Sequence, residues 1–378
     1  MLNRRDFLKF AGITAGCAGL GYSSFPKIKA AQSKALPNVI FILADDMSYD
    51  SVSHLNSKIG NMKTPNIDRL ARQGMYFTDA HSGSAVCTPT RYGLLTGRYC
   101  WRTKLKKEVL WTYGQPLIDK DRTTVADLLK TQGYQTACVG KWHLGMAWPD
   151  RSDAPVNTDI GPYDKTWGDG KEKIAATEKN IDFTKQIKGG PCDRGFDYYF
   201  GVDVPNFPPY TWIKNRHVTA IPTIHKPANN EATGPDFGAP GLKTDGWILA
   251  DILPGLTNKA SEWITRAAKN EKPFFLYMPL TSPHSPIAQS KDFIGTSGIS
   301  KYADFVLETD WAVGRVIAAL ESTGQADNTL VIFSTDNGTA GIADFKQLES
   351  KGVDLHNHFR GHKTQIYEGG HRVPFIVR

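Results

Sequence analysis

The chain has 378 residues, 40% hydrophobic and 22% charged, with 35 glycines, 22 prolines and 5 cysteines. These proportions exclude a collagenous fibre, a disordered tail and a small disulfide-stapled domain, and they suit either one large α/β domain or two ordinary ones. The formal charge is +7, but Arg4, Arg5, Lys9, Lys27 and Lys29 against Asp6 alone place more than half of that excess before residue 32. What remains is too mild and too scattered to mark a nucleic-acid partner.

Met1 to Ala31 starts charged, runs through an apolar stretch from Phe10 to Phe25, and ends in the small residues Ala30 and Ala31. It reads as an export signal occupying residues 1–31, with the functional domain over 32–378. The apolar stretch is too short and too rich in glycine to span a bilayer, which takes about 20 apolar residues. No later segment is long enough either, so stable membrane insertion is not expected. Within the leader, Asn3-Arg4-Arg5-Asp6-Phe7-Leu8-Lys9 resembles the twin-arginine export motif, read by machinery that moves folded proteins. An ordinary secretory signal with two adjacent arginines is the alternative. Thr14 stands where a lipoprotein signal has an aliphatic residue, which argues against lipidation of Cys17. The expected destination is the periplasm or beyond. Cys87, Cys100, Cys138 and Cys192 lie far apart without CxxC spacing, so no zinc-finger or redox pattern is present and at most two disulfides could form.

Val39 to Ala44 is a continuous apolar run, as in a strand buried on both faces of a parallel sheet, and it stops at Asp45-Asp46. Thr64-Pro65-Asn66-Ile67-Asp68-Arg69-Leu70 opens a helix with a capping hydroxyl and a proline at the first position. A helix over Thr124 to Gln132 ends at Gly133, and the strand Gln135 to Val139 leads to Gly140-Lys141-Trp142-His143. Trp148 to Gly246 has little periodicity and reads as long loops shaping a rim. A helix over Ala260 to Asn270 and a strand over Pro273 to Met278 lead to Ser282-Pro283-His284. The long helix Tyr302 to Ser322 precedes the strand Thr329 to Phe333, which delivers Asp336-Asn337-Gly338. Val373 to Arg378 reads as a further strand at the end of the chain, consistent with a fragment.

Strands alternating with helices predict an open, mostly parallel α/β sheet covered on both faces. In such sheets ligands bind outside the carboxyl ends of the strands, so the polar clusters that end these strands should converge. Asp45, Asp46, Asp336 and Asn337 would then offer hard oxygen donors suited to Ca²⁺ or Mg²⁺. Taken separately, the same dipeptides also suit solvated turns. In Cys87-Thr88-Pro89-Thr90-Arg91, Pro89 suits a first helical turn and places Cys87 at a helix N-terminus, where an anion is favoured. Arg91 on the same turn could reach back to hold that group. A buried structural cysteine beside a chance proline is the plainer reading.

These five residues resemble the Cys-x-Pro-x-Arg signature of the type I sulfatases. Asp45-Asp46, Thr64-Pro65-Asn66-Ile67-Asp68, Gly140-Lys141-Trp142-His143-Leu144-Gly145, Asp336-Asn337-Gly338, Arg360-Gly361-His362-Lys363 and Glu368-Gly369-Gly370-His371-Arg372-Val373-Pro374 resemble that family's other motifs in order. The resemblance covers about residues 37 to 378. It implies an alkaline-phosphatase-like α/β/α sandwich with a large, mostly parallel sheet, and a smaller C-terminal subdomain that this chain lacks.

It also implies that a maturation enzyme oxidises Cys87 to Cα-formylglycine, whose hydrate attacks sulfur with one hydroxyl and expels sulfate with the other. One Ca²⁺ would be bound by Asp45, Asp46, Asp336, Asn337 and the hydrated Cys87 side chain. Arg91 would hold the hydrate, Lys141 and Lys363 would clamp sulfate oxygens, His143 would be the base for elimination, and His284 would help protonate the leaving alcohol. The implied substrate is a sulfate monoester, on a sulfated carbohydrate or an aryl group. A phosphonate or phosphate monoester hydrolase of the same superfamily is the second reading. A non-catalytic binder of sulfated glycans, with Cys87 unmodified, is the third.

Overall fold

In the computed structural model of the chain, the described residues are 36–151, 156, 168–231, 233–234 and 236–378. The leader expected over 1–31, including Cys17, lies outside them. No helix among the described residues is long and apolar enough to cross a membrane.

The strands are β1 (Asn38–Ala44), β2 (Met75–Tyr76), β3 (Gln135–Lys141), β4 (Tyr198–Val202), β5 (Ile213–Lys214), β6 (His217–Val218), β7 (Ile224–Lys226), β8 (Gly241–Lys243), β9 (Phe274–Pro279), β10 (Thr329–Thr335) and β11 (Phe375–Val377). The α-helices are α1 (Pro65–Gln73), α2 (Cys87–Thr96), α3 (Val125–Thr131), α4 (Gly168–Asn180), α5 (Ile252–Ala267), α6 (Lys301–Ser322), α7 (Phe345–Ser350) and α8 (Glu368–His371). Nine strands form one sheet in the order β2-β11-β10-β1-β9-β3-β4-β5-β6. Its centre, β10-β1-β9-β3-β4, is parallel. β11, β2, β5 and β6 add antiparallel edges.

The sheet separates two cores, which explains why its strands show no alternation. Ile40, Ile42 and Ala44 of β1 face a layer built by α1, α5 and α6. Leu43 faces the opposite layer, where Tyr92 and Leu95 of α2 and Ala126 of α3 pack. Strands buried on both sides need apolar residues at every position.

Two sequence expectations change. The segment Trp148 to Gly246 is not only loop, because it contributes α4 and β4, and β4 pairs in parallel with β3 from Ala137↔Tyr198 to Lys141↔Val202. Its strand pattern is concealed by the aromatic residues and Gly201 within Tyr198–Val202, and by the prolines that follow. The helix expected over Ala260 to Asn270 runs from Ile252 to Ala267. Pro254 and Gly255 hide its start, but a first turn tolerates proline because its N–H groups have no intrahelical partner. The strand expected at the end of the chain forms as β11, antiparallel to β10 and pairing Ile332↔Val377.

Helix α6 carries three buried acidic residues that fix neighbouring chain. Asp310 accepts the Asn66 and Ile67 backbone N–H groups at the start of α1, at 3.0 and 2.9 Å. Asp304 accepts from Gly295 N and Ser297 N, both at 2.8 Å. Glu308 accepts from Ser290 N at 2.9 Å. Thus α6 anchors the segment that follows β9. Burial raises the Glu308 carboxyl to about 7. Its folded pKa exceeds its unfolded value, so ionisation opposes folding increasingly as pH rises through that interval. Glu308→Gln should therefore flatten the loss of stability between pH 5 and pH 8, seen as a smaller shift in the urea midpoint than the wild type shows.

Candidate active site

The carboxyl ends of the parallel strands carry the polar clusters to one place, as their positions in the chain predict. β1 delivers Asp45 and Asp46, β10 delivers Asp336 and Asn337, and β3 delivers Lys141, two residues before His143. His284 follows β9, and Lys363 comes from the loop between α7 and α8. Cys87 and Arg91 stand one turn apart on α2. Close backbone approach is required here. Gly140, at φ +147°, would place a Cβ 1.8 Å from the Pro279 carbonyl oxygen, so no larger residue fits between β3 and β9 without displacement.

Cys87 is buried at the first position of α2, with its Sγ 3.5 Å from Asp45 Oδ1 and 3.6 Å from Lys363 Nζ. Arg91 is fully enclosed. Its Nε and Nη2 donate to Asp336 Oδ2 at 3.1 and 2.8 Å, and Nη1 donates to the Lys141 carbonyl at 3.0 Å. Lys141 Nζ donates to Asp45 Oδ2 at 2.6 Å. Lys363 Nζ donates to Asp46 at 2.7 Å. Asn337 Nδ2 donates to Asp46 Oδ1 at 2.8 Å, and the Asp46 N–H donates to Asp336 Oδ1 at 3.2 Å. His284 Nε2 lies 3.7 Å from Asp46 Oδ2, while its Nδ1 pairs with the Ser285 carbonyl.

Opposing effects set the protonation of these groups. Burial works to raise Asp45, but Lys141, His284, Arg91 and Lys363 hold it well below the ordinary carboxylate range. Asp336 goes the other way: burial and the charge of Asp45 push it to about 7 against the pull of Arg91. Burial drives the Cys87 thiol far above its usual value despite two nearby lysines. His284 falls to about 4 through burial and the positive charges of Lys363 and Lys141. His143 also falls, through burial, Lys141 and Arg91. Its Nε2 meets the Leu110 carbonyl at 2.9 Å, which fixes the hydrogen there, and its Nδ1 is a buried acceptor without a hydrogen-bond partner among the described residues.

The donor set fits a hard divalent cation. Asp45, Asp46, Cys87 and His284 each offer a donor atom, and these atoms lie within 4.8 Å of one another. Asn337 Oδ1 is a further buried acceptor with no hydrogen-bond partner among the described residues. A buried amide oxygen without a hydrogen costs stability unless something positive meets it. A buried lysine and a partly buried one on two carboxylates, Lys141 and Lys363, are the arrangement expected where cationic charge is needed to offset Asp45 and Asp46.

The residues expected from the sequence at one site are therefore together: Asp45, Asp46, Cys87, Arg91, Lys141, His143, His284, Asp336, Asn337 and Lys363. Lys141 and Lys363 meet carboxylates here, rather than standing free for an anion. Compared with known proteins, residues 37–378 match the family model described as Sulfatase. The chain belongs to the sulfatase family, hydrolases of sulfuric esters. It is 33% identical to the N-acetylgalactosamine-6-O-sulfatase of Bacteroides thetaiotaomicron, over 92% of this chain and 68% of that protein. It is 29% identical to the human steryl-sulfatase over 90% of this chain, and there it spans 61% of the relative's length. A solved sulfatase structure from Bacteroides thetaiotaomicron, reported with the metabolism of multiple glycosaminoglycans, superposes with a TM-score of 0.72 at 32% identity, covering 91% of this chain and 72% of the other. The sheet and its flanking layers are those of the alkaline-phosphatase-like fold to which sulfatases belong.

Some positioning residues were not legible in the sequence. Asp203 accepts the His143 backbone N–H at 3.0 Å through Oδ1, and His143 sits in the left-handed region at φ +53°. Asp203 immediately follows β4, so recognising that strand would have exposed it. Tyr302 of α6 donates to the Asp46 carbonyl at 3.3 Å and pairs with Thr339 Oγ1 at 2.9 Å. Nothing local in the sequence marks these contacts.

Arg91 is the partner that keeps Asp336 buried, and deleting one member of a buried ion pair leaves the other uncompensated. Arg91→Met should lower unfolding free energy by about 3–5 kcal/mol in urea titrations. A loss below about 1 kcal/mol would show that Asp336 does not depend on it.

Proposed function

We propose that this chain hydrolyses sulfate monoesters of carbohydrates, with Cys87 oxidised to Cα-formylglycine and one Ca²⁺ held by Asp45, Asp46, Asp336, Asn337 and the modified side chain at 87. The observation that carries this reading is the placement of Cys87: it is sealed at the start of α2, between Asp45 and Lys363, in a cavity of about 400 Å³ that His143 and His284 also line. A thiol so buried, and raised so far above its usual range, stays protonated at neutral pH and makes a poor nucleophile. The position is thus better suited to a group that needs no thiolate.

The aldehyde hydrate supplies two hydroxyls on one carbon, so that sulfate can be accepted by one and expelled through the other. The cation, when bound, offsets negative charge on sulfate and on the ionised hydroxyl. The chain's own groups do the rest. Arg91, held by Asp336 and the Lys141 carbonyl, fixes one wall beneath residue 87. Lys141 and Lys363 are compact charges that can turn from Asp45 and Asp46 toward sulfate oxygens once a cation neutralises those carboxylates. His143 presents an unprotonated Nδ1 and serves as the base that removes the second hydroxyl proton. His284 has Nε2 left for the bridging oxygen, because Nδ1 gives its hydrogen to the Ser285 carbonyl; Nε2 would pass a proton to the leaving alcohol once the negative charge of a bound sulfate ester has raised the imidazole from about 4 and protonated it.

The carbohydrate assignment rests on the kinship to an N-acetylgalactosamine-6-O-sulfatase and on the cavity wall. Trp111 and Phe207, with ring centres 5.8 Å apart, line it beside Asn206 and Glu108. Apolar rings would pack on the C–H face of a sugar while polar groups take its hydroxyls. Formylglycine formation on the unfolded chain would precede export of the folded product through the twin-arginine machinery to the periplasm or beyond.

Two outcomes test this reading. Cys87→Ser should fold as the wild type does, yet turn over at most once and retain sulfate, visible as a mass increase on the peptide spanning residue 87. Repeated turnover by that variant would sink the aldehyde mechanism. Adding Ca²⁺ to chelated protein should raise the melting temperature and restore hydrolysis of an aryl sulfate in preference to an aryl phosphate, and Asp336→Ala should abolish both responses. Full activity after exhaustive chelation would remove the cation from the scheme.

A further inference from the structure

We propose that His81, Glu368 and His371 form a second metal site, for a borderline transition ion such as Zn²⁺, separate from the oxygen-rich centre around Asp45 and Asp46. Each of the three offers a donor atom, and these atoms lie within 4.8 Å of one another. Glu368 and His371 stand three residues apart on α8, so their side chains share one side of that turn. An antiparallel bridge between His81 and Arg372 brings His81 alongside, secured by the Ser82 N–H donating to the His371 carbonyl at 2.8 Å.

The spacing matches a single tetrahedral ion. Donors at about 2.1 Å from such an ion lie about 3.4 Å apart, and two imidazoles bound to it have ring centres about 5.2 Å apart. His81 Nε2 is 3.2 Å from both Glu368 carboxylate oxygens. The His81 and His371 ring centres are 5.2 Å apart. The remote nitrogen of His371 is engaged as it is in ligating imidazoles, which give their other N–H to a carboxylate or carbonyl, and that of His81 has a carboxylate nearby. His81 Nδ1 lies 3.5 Å from Asp79 Oδ1. His371 Nε2 meets the Ile366 carbonyl at 2.9 Å, leaving Nδ1 as its free donor.

Arg372 is the competing charge. Its Nη1 bonds Glu368 Oε2 at 2.8 Å and its Nη2 lies 3.6 Å from Asp79. The guanidinium is also tied to the Thr78 carbonyl and lies over the Phe359 ring at 4.4 Å. With neutral imidazoles, Asp79, Glu368 and Arg372 leave one net negative charge, so a cation is still attracted. Two nitrogens and one carboxylate select Zn²⁺, Co²⁺ or Ni²⁺ over Ca²⁺ and Mg²⁺, and the half-exposed setting leaves a coordination position for water. An ion here would fasten the segment leading into α2 to the segment following Lys363. Those two already touch where the Thr364 N–H donates to the Ala85 carbonyl at 2.9 Å.

The test uses the full chain with saturating Ca²⁺, so that the oxygen-rich centre is the same in every sample. Zn²⁺ titrated by calorimetry should show one site whose affinity falls at least tenfold in His81→Gln and in His371→Asn. Both variants should melt within about 2 °C of the wild type without added Zn²⁺. Co²⁺ should give the intense visible absorption of a four- or five-coordinate ion, lost in both variants. Affinities within threefold of the wild type in both variants, or only the weak absorption of octahedral Co²⁺, would overturn the proposal. Should either variant misfold, Glu368→Gln, which keeps the size and shape of a half-exposed side chain, carries the same two readouts.

Discussion

The structure turns on one constraint: three carboxylates and three cationic side chains lie together in the protein interior, and each charge survives there only because a partner of opposite sign is within reach. Asp45 meets Lys141, Asp46 meets Lys363, and Asp336 meets Arg91. Burying an isolated charge costs several kcal/mol, so removing any one of these partners strands another. The pairing is nevertheless imperfect. Asp336 remains raised by burial and by its acidic neighbours, and the Asn337 carbonyl faces no donor among the described residues. An incompletely balanced cluster of oxygens is the electrostatic form of a site prepared for a cation and an anionic group together.

The architecture exists to hold that cluster. Parallel strands end on the same edge of the sheet, so each can deliver a polar residue to a common crevice while its preceding residues are buried in the two cores. Helix α2 adds the one element that a strand cannot supply. Its first two turns present Cys87 and Arg91 toward the strand ends, and the free N–H groups of a helix start favour negative charge there. Around this frame, α6 contributes little to the chemistry directly but secures the Asp46 carbonyl through Tyr302 and the segment after β9 through Asp304 and Glu308.

Much of this was legible in the chain itself. The apolar runs ending in Asp45-Asp46, Lys141 and Asp336-Asn337 reveal both strand and site, because a doubly buried strand has no reason to stop in charged residues unless those residues serve something. Strand β4 was not legible, since its aromatic residues and Gly201 imitate the surrounding loops and its pairing partner is distant in sequence. Asp203 was lost with it. The true start of α5 was hidden by Pro254 and Gly255, whose tolerance depends on their place in the first turn.

Residue identity by itself determined which chemistries were open: carboxylates and an amide for a hard cation, arginine and lysines for an oxyanion, a cysteine at a helix start, and imidazoles for proton transfer. Only the tertiary structure decided that Lys141 and Lys363 rest on Asp45 and Asp46, that His143 Nδ1 meets no hydrogen-bond partner among the described residues, and that His81 lies beside Glu368 and His371. Those outcomes depend on distances of a few ångströms between segments hundreds of residues apart. Local pattern carries no information about such distances, because they are set by strand order, helix packing and the close approach permitted at Gly140.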